Sequence, residues 1–430
     1  MTSYSPLVPG IKARDHVLSA PLDHAAANAE AAGNGETIEV YAREVVGAEH
    51  DDPGTLPWLL YLQGGPGGSS PRPKARAGWL DAALKRYRVL LLDQRGTGNS
   101  TPIGPALLAR RGGPDAAADY LSHLRADAIV RDAELFRGQV ADGAKWTTLG
   151  QSYGGFCTFT YLSLAPHGLE RCLVTGGIPP IGLRAEDVYR RTWRRVLAKN
   201  GTYFAKFPHD RKRLDELAQR IQRPVLLPDG GQLTLERLLA VGIDFGRSDG
   251  FAGVHYLLEQ AQHDGELSPA FLHEVAAGTD ASSMPLYALL QEAIYCDGPG
   301  ASNWAATRTR AEVPVLSAQA RHPMLTGEMM ERWRFTDIPG LAPYGALADA
   351  LHAKTDWAPL YDTEQLAANE VPVAGAVYYD DMYVDADASL DVARRTPGVR
   401  AWVTNQYEHD GLRADVGVFE RLDAMTRGMA

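Results

Sequence analysis

The sequence predicts an α/β protein built on a mostly parallel sheet with helices on both faces. Two runs, residues 58–62 and 89–92, are almost entirely apolar, as expected of parallel strands that helices cover on both sides. Each run ends in a glycine-rich turn, and predicted strands alternate with predicted helices up to residue 175. Strand patterns return at residues 371–379 and 398–404, so both ends of the chain are expected to contribute to one sheet.

The first half of the chain supplies most of the predicted sheet. Residues 37–46 alternate apolar and polar side chains, which is typical of a half-buried outer strand. Residues 125–140 place apolar side chains at a helical period, and residues 146–149 form a short strand. The stretch after Gly155 is long enough for a helix, and residues 171–175 resume a buried strand. This order of elements is typical of a parallel α/β sheet.

A different pattern occupies the middle of the chain. From about residue 183 to about residue 371 there are arginine-rich helical segments and several Trp and Tyr residues without a regular strand rhythm. We interpret this region as a mostly helical insertion, or cap, between two halves of one core. The predicted parts are residues 1–183 and 355–430 for the core and residues 184–354 for the cap, with a final core helix near residues 416–425.

Composition narrows the class of protein. The 430 residues include 43 Lys and Arg against 53 Asp and Glu, and the net charge of −10 disfavours binding to nucleic acid or to an anionic membrane. No apolar run approaches the ~20 residues of a membrane-spanning helix. Residues 1–10 lack a secretory signal pattern, so we expect a cytoplasmic protein.

Cysteine and histidine usage gives a further expectation. The three cysteines cannot build a disulfide framework and are expected to be buried and unpaired: Cys157, Cys172 and Cys296. Neither HExxH nor clustered His and Cys spacing is present in the sequence. We therefore expect neither a metal site nor a cofactor.

The sharpest chemical signal is Gly150-Gln-Ser152-Tyr-Gly154, a G-x-S-x-G pattern between a predicted strand and a predicted helix. A sharp strand-to-helix turn raises such a serine hydroxyl above the sheet, and the flanking glycines avoid collisions with neighbouring backbone. The nearby helix N-terminus favours developing negative charge. Ser152 is therefore predicted to be a catalytic nucleophile.

A serine nucleophile needs a base that takes its proton and a carboxylate that holds the base in the right tautomer. After this motif the expected chain order is Ser, Asp, His. Asp380 and Asp381 follow the predicted strand at residues 371–379, and either carboxylate could orient the base. His409 lies in the loop after the next predicted strand, which is the position expected of the base.

A second catalytic element is the glycine-rich loop at residues 63–70, directly after an apolar strand. Glycines in this loop let backbone N–H groups point at a substrate oxygen. We expect the N–H groups of Gly65 and Tyr153 to form an oxyanion hole. A phosphate-binding loop is disfavoured because no G-x-x-x-x-G-K-[ST] pattern follows. The loop at residues 93–100 is interpreted as a structural support for the oxyanion loop.

These motifs resemble the prolyl aminopeptidase (proline iminopeptidase) branch of the α/β-hydrolase fold, peptidase family S33. The resemblance rests on GGPGG at residues 64–68, DQRGTGNS at 93–100, GQSYGG at 150–155 and Leu-Asp-His at 22–24. It implies an α/β-hydrolase core with an inserted helical cap. Relatives usually carry histidine where this chain has Gln63, a change that leaves the backbone donors in place. The family pattern favours Asp381 over Asp380 as the triad acid.

The resemblance also implies a cap that recognises the cationic N-terminal amine of a peptide. Carboxylates are expected to bind it, because an unpaired buried ammonium is costly. Cap segments at residues 291–296 and 326–330 are similar to those of long-cap family members and supply Glu292 and Glu328 as candidates. Tyr295 is a candidate wall of the substrate pocket, and packing between cap and core is the alternative explanation for it and for three other aromatic residues, Trp304, Trp333 and Phe335.

The predicted function is a serine exopeptidase that releases an N-terminal residue, preferentially proline, from peptides with a free N-terminus. Ser152 attacks, His409 moves the proton and Asp381 orients His409. Alternatives of the same fold are an esterase and a broader or tripeptide-releasing aminopeptidase. An alternative of another class is a noncatalytic ligand-binding protein, which would need no working nucleophile. The oligomeric state and the physiological substrate are left open.

Overall fold

The computed structural model describes residues 4–27 and 35–429. Its centre is a nine-stranded sheet in the order β1-β2-β3-β5-β4-β6-β7-β10-β11, and β8 and β9 form a separate small hairpin in the cap. Along the chain the strands are β1 Ser5–Val8, β2 Ile11–Pro21, β3 Thr37–Gly47, β4 Trp58–Leu62, β5 Arg88–Asp93, β6 Trp146–Gln151, β7 Leu169–Thr175, β8 Gln262–His263, β9 Glu266–Leu267, β10 Val373–Tyr378 and β11 Val399–Thr404.

Strand direction changes across the width of the sheet. β1, β2, β3 and β5 pair antiparallel in succession. The pairs that run from β5 through β4, β6, β7 and β10 to β11 are all parallel. Every residue of β4 and of β10 is buried, as their continuous apolar sequences predict. The predicted α/β class with a mostly parallel sheet is confirmed.

Helices precede, fill and follow the inserted region. Before it they are α1 His24–Ala27, α2 Gly78–Leu84, α3 Pro105–Ala109, α4 Pro114–Ser122, α5 Ala126–Gln139 and α6 Tyr153–Leu164. Within it they are α7 Ala185–Lys206, α8 His209–Arg220, α9 Leu235–Leu239, α10 Gly250–Glu259, α11 Pro269–Thr279, α12 Pro285–Leu290, α13 Ala305–Ala311, α14 Arg334–Asp337 and α15 Gly345–Ala353. After it they are α16 Thr363–Ala367, α17 Ala386–Arg395, α18 Gly411–Ala414 and α19 Val416–Thr426.

The two faces of the sheet bury separate apolar clusters. Leu59 and Tyr61 of β4 belong to one cluster, which α2 and α19 cover. Leu60 and Leu62, which point the other way because side chains alternate along a strand, belong to the larger cluster under α5 and α6. Helices on both faces explain why the central strands carry no polar face.

The cap packs in two ways. Most of α7 to α11 and α13 forms a cluster of its own around large side chains such as Trp193, Tyr203 and Phe245. The segments around α12 and α15 instead add residues such as Leu289 and Leu351 to the main core cluster. The exact boundaries between core and cap stay a prediction. Of the helices described here, none is both long and apolar enough to span a membrane.

The three cysteines lie inside the protein, as predicted. Cys157, Cys172 and Cys296 are all free and buried. Burial raises the pKa of the Cys172 and Cys296 thiols to about 12. These side chains therefore behave as small apolar residues at neutral pH.

Candidate active site

Ser152 lies on a tight turn between β6 and α6. Its φ of 54° and ψ of −122° place it in a backbone region that residues other than glycine rarely adopt. Its N–H donates to the carbonyl oxygen of Thr175 at 2.9 Å, which ties the turn to β7. A Cβ on Gly154 would lie 1.9 Å from the Leu62 carbonyl oxygen, and one on Gly150 would lie 2.4 Å from the Gly154 oxygen. Both glycines are therefore required for this turn.

Asp381 and His409 lie in the loops that follow β10 and β11. The Nδ1–H of His409 donates to Oδ2 of Asp381 at 2.7 Å. The other carboxylate oxygen accepts the N–H groups of Tyr383 at 2.8 Å and Val384 at 3.1 Å. Asp381 is 1% exposed and His409 is 8% exposed, whereas Asp380 is an exposed residue. Of the two adjacent carboxylates, the structure pairs Asp381 with the histidine.

Opposing effects set the pKa of His409. Burial lowers it, whereas the charge of Asp381 and the hydrogen bond to Asp381 raise it. The charges of Glu328 and Asp410 act in the same direction as Asp381, and the net pKa lies above its ordinary value. The surroundings of the ring thus favour the imidazolium that would form if it accepted a proton from Ser152.

Two glycines after β7 allow the histidine loop to approach the serine turn. A Cβ on Gly177 would lie 2.2 Å from the carbonyl oxygen of Ser152, so this residue packs against the turn. A Cβ on Gly176 would lie 3.1 Å from Nδ1 of His409, so Gly176 packs against the imidazole. Gly176 also has a φ of +53°, which favours glycine. Neither glycine was predicted from the sequence.

The glycine-rich loop after β4 lies beside Ser152. A Cβ on Gly64 would lie 2.9 Å from the Cβ of Ser152, which shows how closely the loop backbone approaches. Among the described residues, no hydrogen bond uses the N–H of Gly65 or of Tyr153. Two free N–H groups next to a serine are what an oxyanion hole needs.

The loop at residues 93–100 supports the glycine-rich loop, as the sequence indicated. Asp93 accepts the N–H of Ser70 at 3.0 Å and the N–H of Asn99 at 2.8 Å, so one buried carboxylate joins the two loops. Gln94 donates from its side chain to the carbonyl oxygen of Gln63 at 3.0 Å. The Gln63 side chain, which replaces the usual histidine, accepts the Tyr61 hydroxyl at 2.8 Å.

Glu328 of the cap lies near the Asp381–His409 pair. Its Oε1 accepts the hydroxyl of Tyr287 at 2.9 Å. Burial raises the pKa of Glu328 to about 7, and the charge of Asp381 adds to this effect, while His409 and the Tyr287 hydrogen bond oppose it. The carboxyl group of Glu328 is therefore a second one close to the predicted catalytic residues, in addition to that of Asp381.

Glu292 has different surroundings from those predicted. Its carboxylate is buried and accepts the N–H groups of Ala305 at 2.9 Å and Ala306 at 3.1 Å, at the start of α13. Nδ1 of His352 lies 2.9 Å from the same carboxylate. Burial alone would raise the pKa of Glu292, but His352 and the other hydrogen bonds hold it below its usual value. Glu292 thus binds the N-terminus of a helix, and its predicted contact with a substrate amine stays a prediction.

Tyr295 is the aromatic candidate that faces the nucleophile helix. Its ring centroid lies 6.1 Å from that of Phe156 in α6 and 5.7 Å from that of Tyr189 in α7. The other three aromatic candidates pack among cap residues around Glu292 and its neighbours: Trp304 stacks on His352, Phe335 packs against Trp304, and Trp333 donates to Glu331. Tyr295 alone is retained as a candidate pocket wall.

The fold and the arrangement of these side chains define a serine hydrolase of the α/β-hydrolase fold. A family model described as "alpha/beta hydrolase fold" matches residues 57–231. A proline iminopeptidase of Aeromonas sobria is 48% identical over 421 residues, which cover 97% of each chain. A proline iminopeptidase of Aspergillus aculeatus is 34% identical over 390 residues, or 87% of this chain and 86% of the relative. The chain belongs to the proline iminopeptidase family.

A solved structure of a proline iminopeptidase from Mycobacterium smegmatis aligns with 96% of this chain and 97% of its own chain, at 15% identity and a TM-score of 0.45. The family assignment rests on the two sequence relatives.

Proposed function

We propose that this protein removes N-terminal proline from peptides with Ser152, His409 and Asp381 as its catalytic triad. Two relatives that are named proline iminopeptidases support the reaction and the substrate class. The observation that carries the mechanism is the buried hydrogen bond of 2.7 Å between His409 and Asp381, in loops that adjoin the Ser152 turn.

The hydrogen bond defines the tautomer of the base. A carboxylate only accepts hydrogen bonds, so Nδ1 of His409 carries the proton and Nε2 is free to accept one. His409 takes the proton of the Ser152 hydroxyl while the serine oxygen attacks the carbonyl carbon of proline. The N–H groups of Gly65 and Tyr153 stabilise the oxyanion that forms.

The same groups complete the reaction. The imidazolium of His409 gives its proton to the departing amino group of the shortened peptide, and proline remains as an ester on Ser152. A water molecule then attacks the ester with His409 again as the base, which releases proline and restores the serine hydroxyl. Asp381 stays ionised throughout and stabilises the imidazolium at both stages.

Glu328 supplies the specificity for a free N-terminus. The proline nitrogen is cationic near neutral pH, and a carboxylate close to the reacting atoms can pair with it. The hydroxyl of Tyr287 holds the Glu328 side chain in place with its hydrogen bond of 2.9 Å. Tyr295 provides an aromatic surface beside α6 against which the pyrrolidine ring can pack.

Steady-state hydrolysis of matched chromogenic substrates tests this proposal. L-Proline 4-nitroanilide should be cleaved with a higher kcat/KM than L-alanine 4-nitroanilide, and N-acetyl-L-proline 4-nitroanilide should resist cleavage. Rapid cleavage of 4-nitrophenyl acetate with no cleavage of either free amide would instead indicate an esterase. A peptide that begins with proline should lose one residue in mass spectrometry, and loss of three residues would indicate a tripeptide-releasing enzyme.

A further inference from the structure

Three consecutive residues of the histidine loop, 408–410, are bound by the cap. Each makes a polar contact with a different cap residue. The ammonium of Lys199 in α7 lies 2.5 and 2.6 Å from the two carboxylate oxygens of Glu408. The other two contacts are the His409 N–H to the Gly246 carbonyl oxygen at 3.0 Å, and the Ser248 N–H and hydroxyl to one Asp410 oxygen at 3.1 and 2.6 Å.

The same cap segment also holds the loop that carries Asp381. The hydroxyl of Tyr383 donates to the carbonyl oxygen of Ile243. The Tyr383 ring packs edge-on against His409 with centroids 4.9 Å apart. A Cβ on Gly246 would lie 2.2 Å from the same tyrosine ring, so the cap backbone contacts it directly. We call Lys199 and residues 243–248 the clasp, because together they contact both loops.

The Lys199–Glu408 pair is largely buried. The Lys199 side chain is only 9% exposed and that of Glu408 is 25% exposed. A buried ion pair is weak evidence for stability, since desolvation of both charges offsets much of their attraction. Breaking such a pair leaves an uncompensated charge, which favours movement of the chain that carries it. In this protein the uncompensated charge would be on Glu408, the residue directly before His409.

We propose that the clasp positions His409 against Asp381, so that the cap orients the catalytic base as well as binding substrate. This inference rests on the proposed catalytic triad. Lys199, Ile243, Gly246 and Ser248 act as positioning residues, since each of them contacts at least one of the two loops. Misplacement of a catalytic group by about 1 Å can lower turnover about 100-fold, so loosening this loop should affect kcat.

The pH dependence distinguishes positioning from simple stabilisation of the fold. The charged groups that face His409 are Asp381, Glu328 and Asp410, and all three raise its pKa, whereas burial lowers it. If His409 moves away from Asp381, the largest of the contributions that raise its pKa decreases, and the pKa of the imidazole falls. The acid limb of the pH–rate profile, where the rate rises as His409 loses its proton, should then move to lower pH.

The test uses the rate of Ser152 labelling by a fluorophosphonate probe, measured across pH in the full-length protein. Lys199→Met should lower the labelling rate and the kcat for L-proline 4-nitroanilide about 10- to 100-fold, with KM changed less than about threefold. The acid limb should shift to lower pH, because movement of His409 away from Asp381 outweighs the opposite, direct effect of losing the Lys199 cation beside Glu408. Lys199→Arg, which keeps a cation, should recover part of the rate. Ser248 is exposed, and Ser248→Ala leaves one hydrogen bond to Asp410, from the backbone N–H. This variant should lower the labelling rate and shift the acid limb in the same directions as Lys199→Met, but by smaller amounts.

Tyr203→Phe is the matched control. It removes a buried hydrogen bond of 2.6 Å to Asp210 from the same helix, α7, without touching the histidine loop. It should lower the melting temperature and leave the labelling rate and acid limb unchanged. Wild-type labelling and an unshifted acid limb in both Lys199→Met and Ser248→Ala would overturn the clasp. Equal losses in Tyr203→Phe would also overturn it. Failure of the unchanged protein to label at Ser152 would instead overturn the proposed triad.

Discussion

Replacing Glu328 with Gln should abolish most of the preference for substrates with a free N-terminus. Glutamine has the same length and can still accept the hydroxyl of Tyr287, but it carries no charge to pair with the proline ammonium. Removing one partner of a buried charge pair costs about 2–5 kcal/mol. At 1.4 kcal/mol per factor of ten, kcat/KM for L-proline 4-nitroanilide should fall about 30- to 4,000-fold at pH 8.

The raised pKa of Glu328 adds a pH signature. Because burial raises that pKa to about 7, the wild-type carboxyl is mainly ionised at pH 8 and mainly protonated at pH 6. The dependence of kcat/KM on pH reports the ionisation of groups in the free enzyme. The advantage of the wild type over Glu328→Gln should therefore be about tenfold smaller at pH 6 than at pH 8.

The assay compares the prolyl anilide with 4-nitrophenyl acetate at both pH values. The ester has no ammonium, so Glu328→Gln should hydrolyse it within about threefold of the wild type at pH 8, a small loss that reflects only the missing charge near the imidazolium of His409. Glu292→Gln is the control, since that buried cap glutamate binds a helix N-terminus. Wild-type kcat/KM for the anilide in Glu328→Gln, or equal losses for anilide and ester, would refute the amine-binding role.

Four substitutions probe the triad, the cap and the serine turn. Asp381→Asn should reduce kcat by a factor of about 10⁴, whereas Asp380→Asn should leave kcat unchanged, and steady-state kinetics on both variants decides the assignment. Glu292→Gln should lower the melting temperature without changing KM; because folding depresses the pKa of this carboxyl, the difference from the wild type should shrink as pH falls below 4.5. Gly154→Ala should fail to give active folded protein, measured by circular dichroism and probe labelling, because its Cβ would collide with the Leu62 carbonyl oxygen.

Much of the fold and the serine turn could be predicted because their signals are local. Buried parallel strands have continuous apolar sequences, and a strand followed by G-x-S-x-G and a helix specifies the turn within a few residues. The strands β1 and β2 at one end of the sheet were not predicted. Within Ile11–Pro21 only Ile11, Ala13 and Ala20 are buried, and partly buried or exposed residues separate them, so no apolar run marks the strand.

Partners that are distant in sequence explain what the sequence analysis missed. The glutamate pattern around Glu292 does not reveal His352, which lies 60 residues later and occupies the carboxylate. The contact of Lys199 with Glu408 joins residues 209 positions apart, so neither residue suggests the other. The choice of Asp381 over Asp380 came from a family pattern, and the structure supplies its physical reason in the burial of Asp381 beside His409.

The most direct test of the central claim is to map the covalent adduct of a fluorophosphonate probe by peptide mass spectrometry and to assay Ser152→Ala on L-proline 4-nitroanilide. We predict that the wild-type adduct lies on Ser152 and that Ser152→Ala loses both labelling and about 10⁶-fold in kcat. An adduct on another serine, or substantial cleavage of the anilide by Ser152→Ala, would contradict the account.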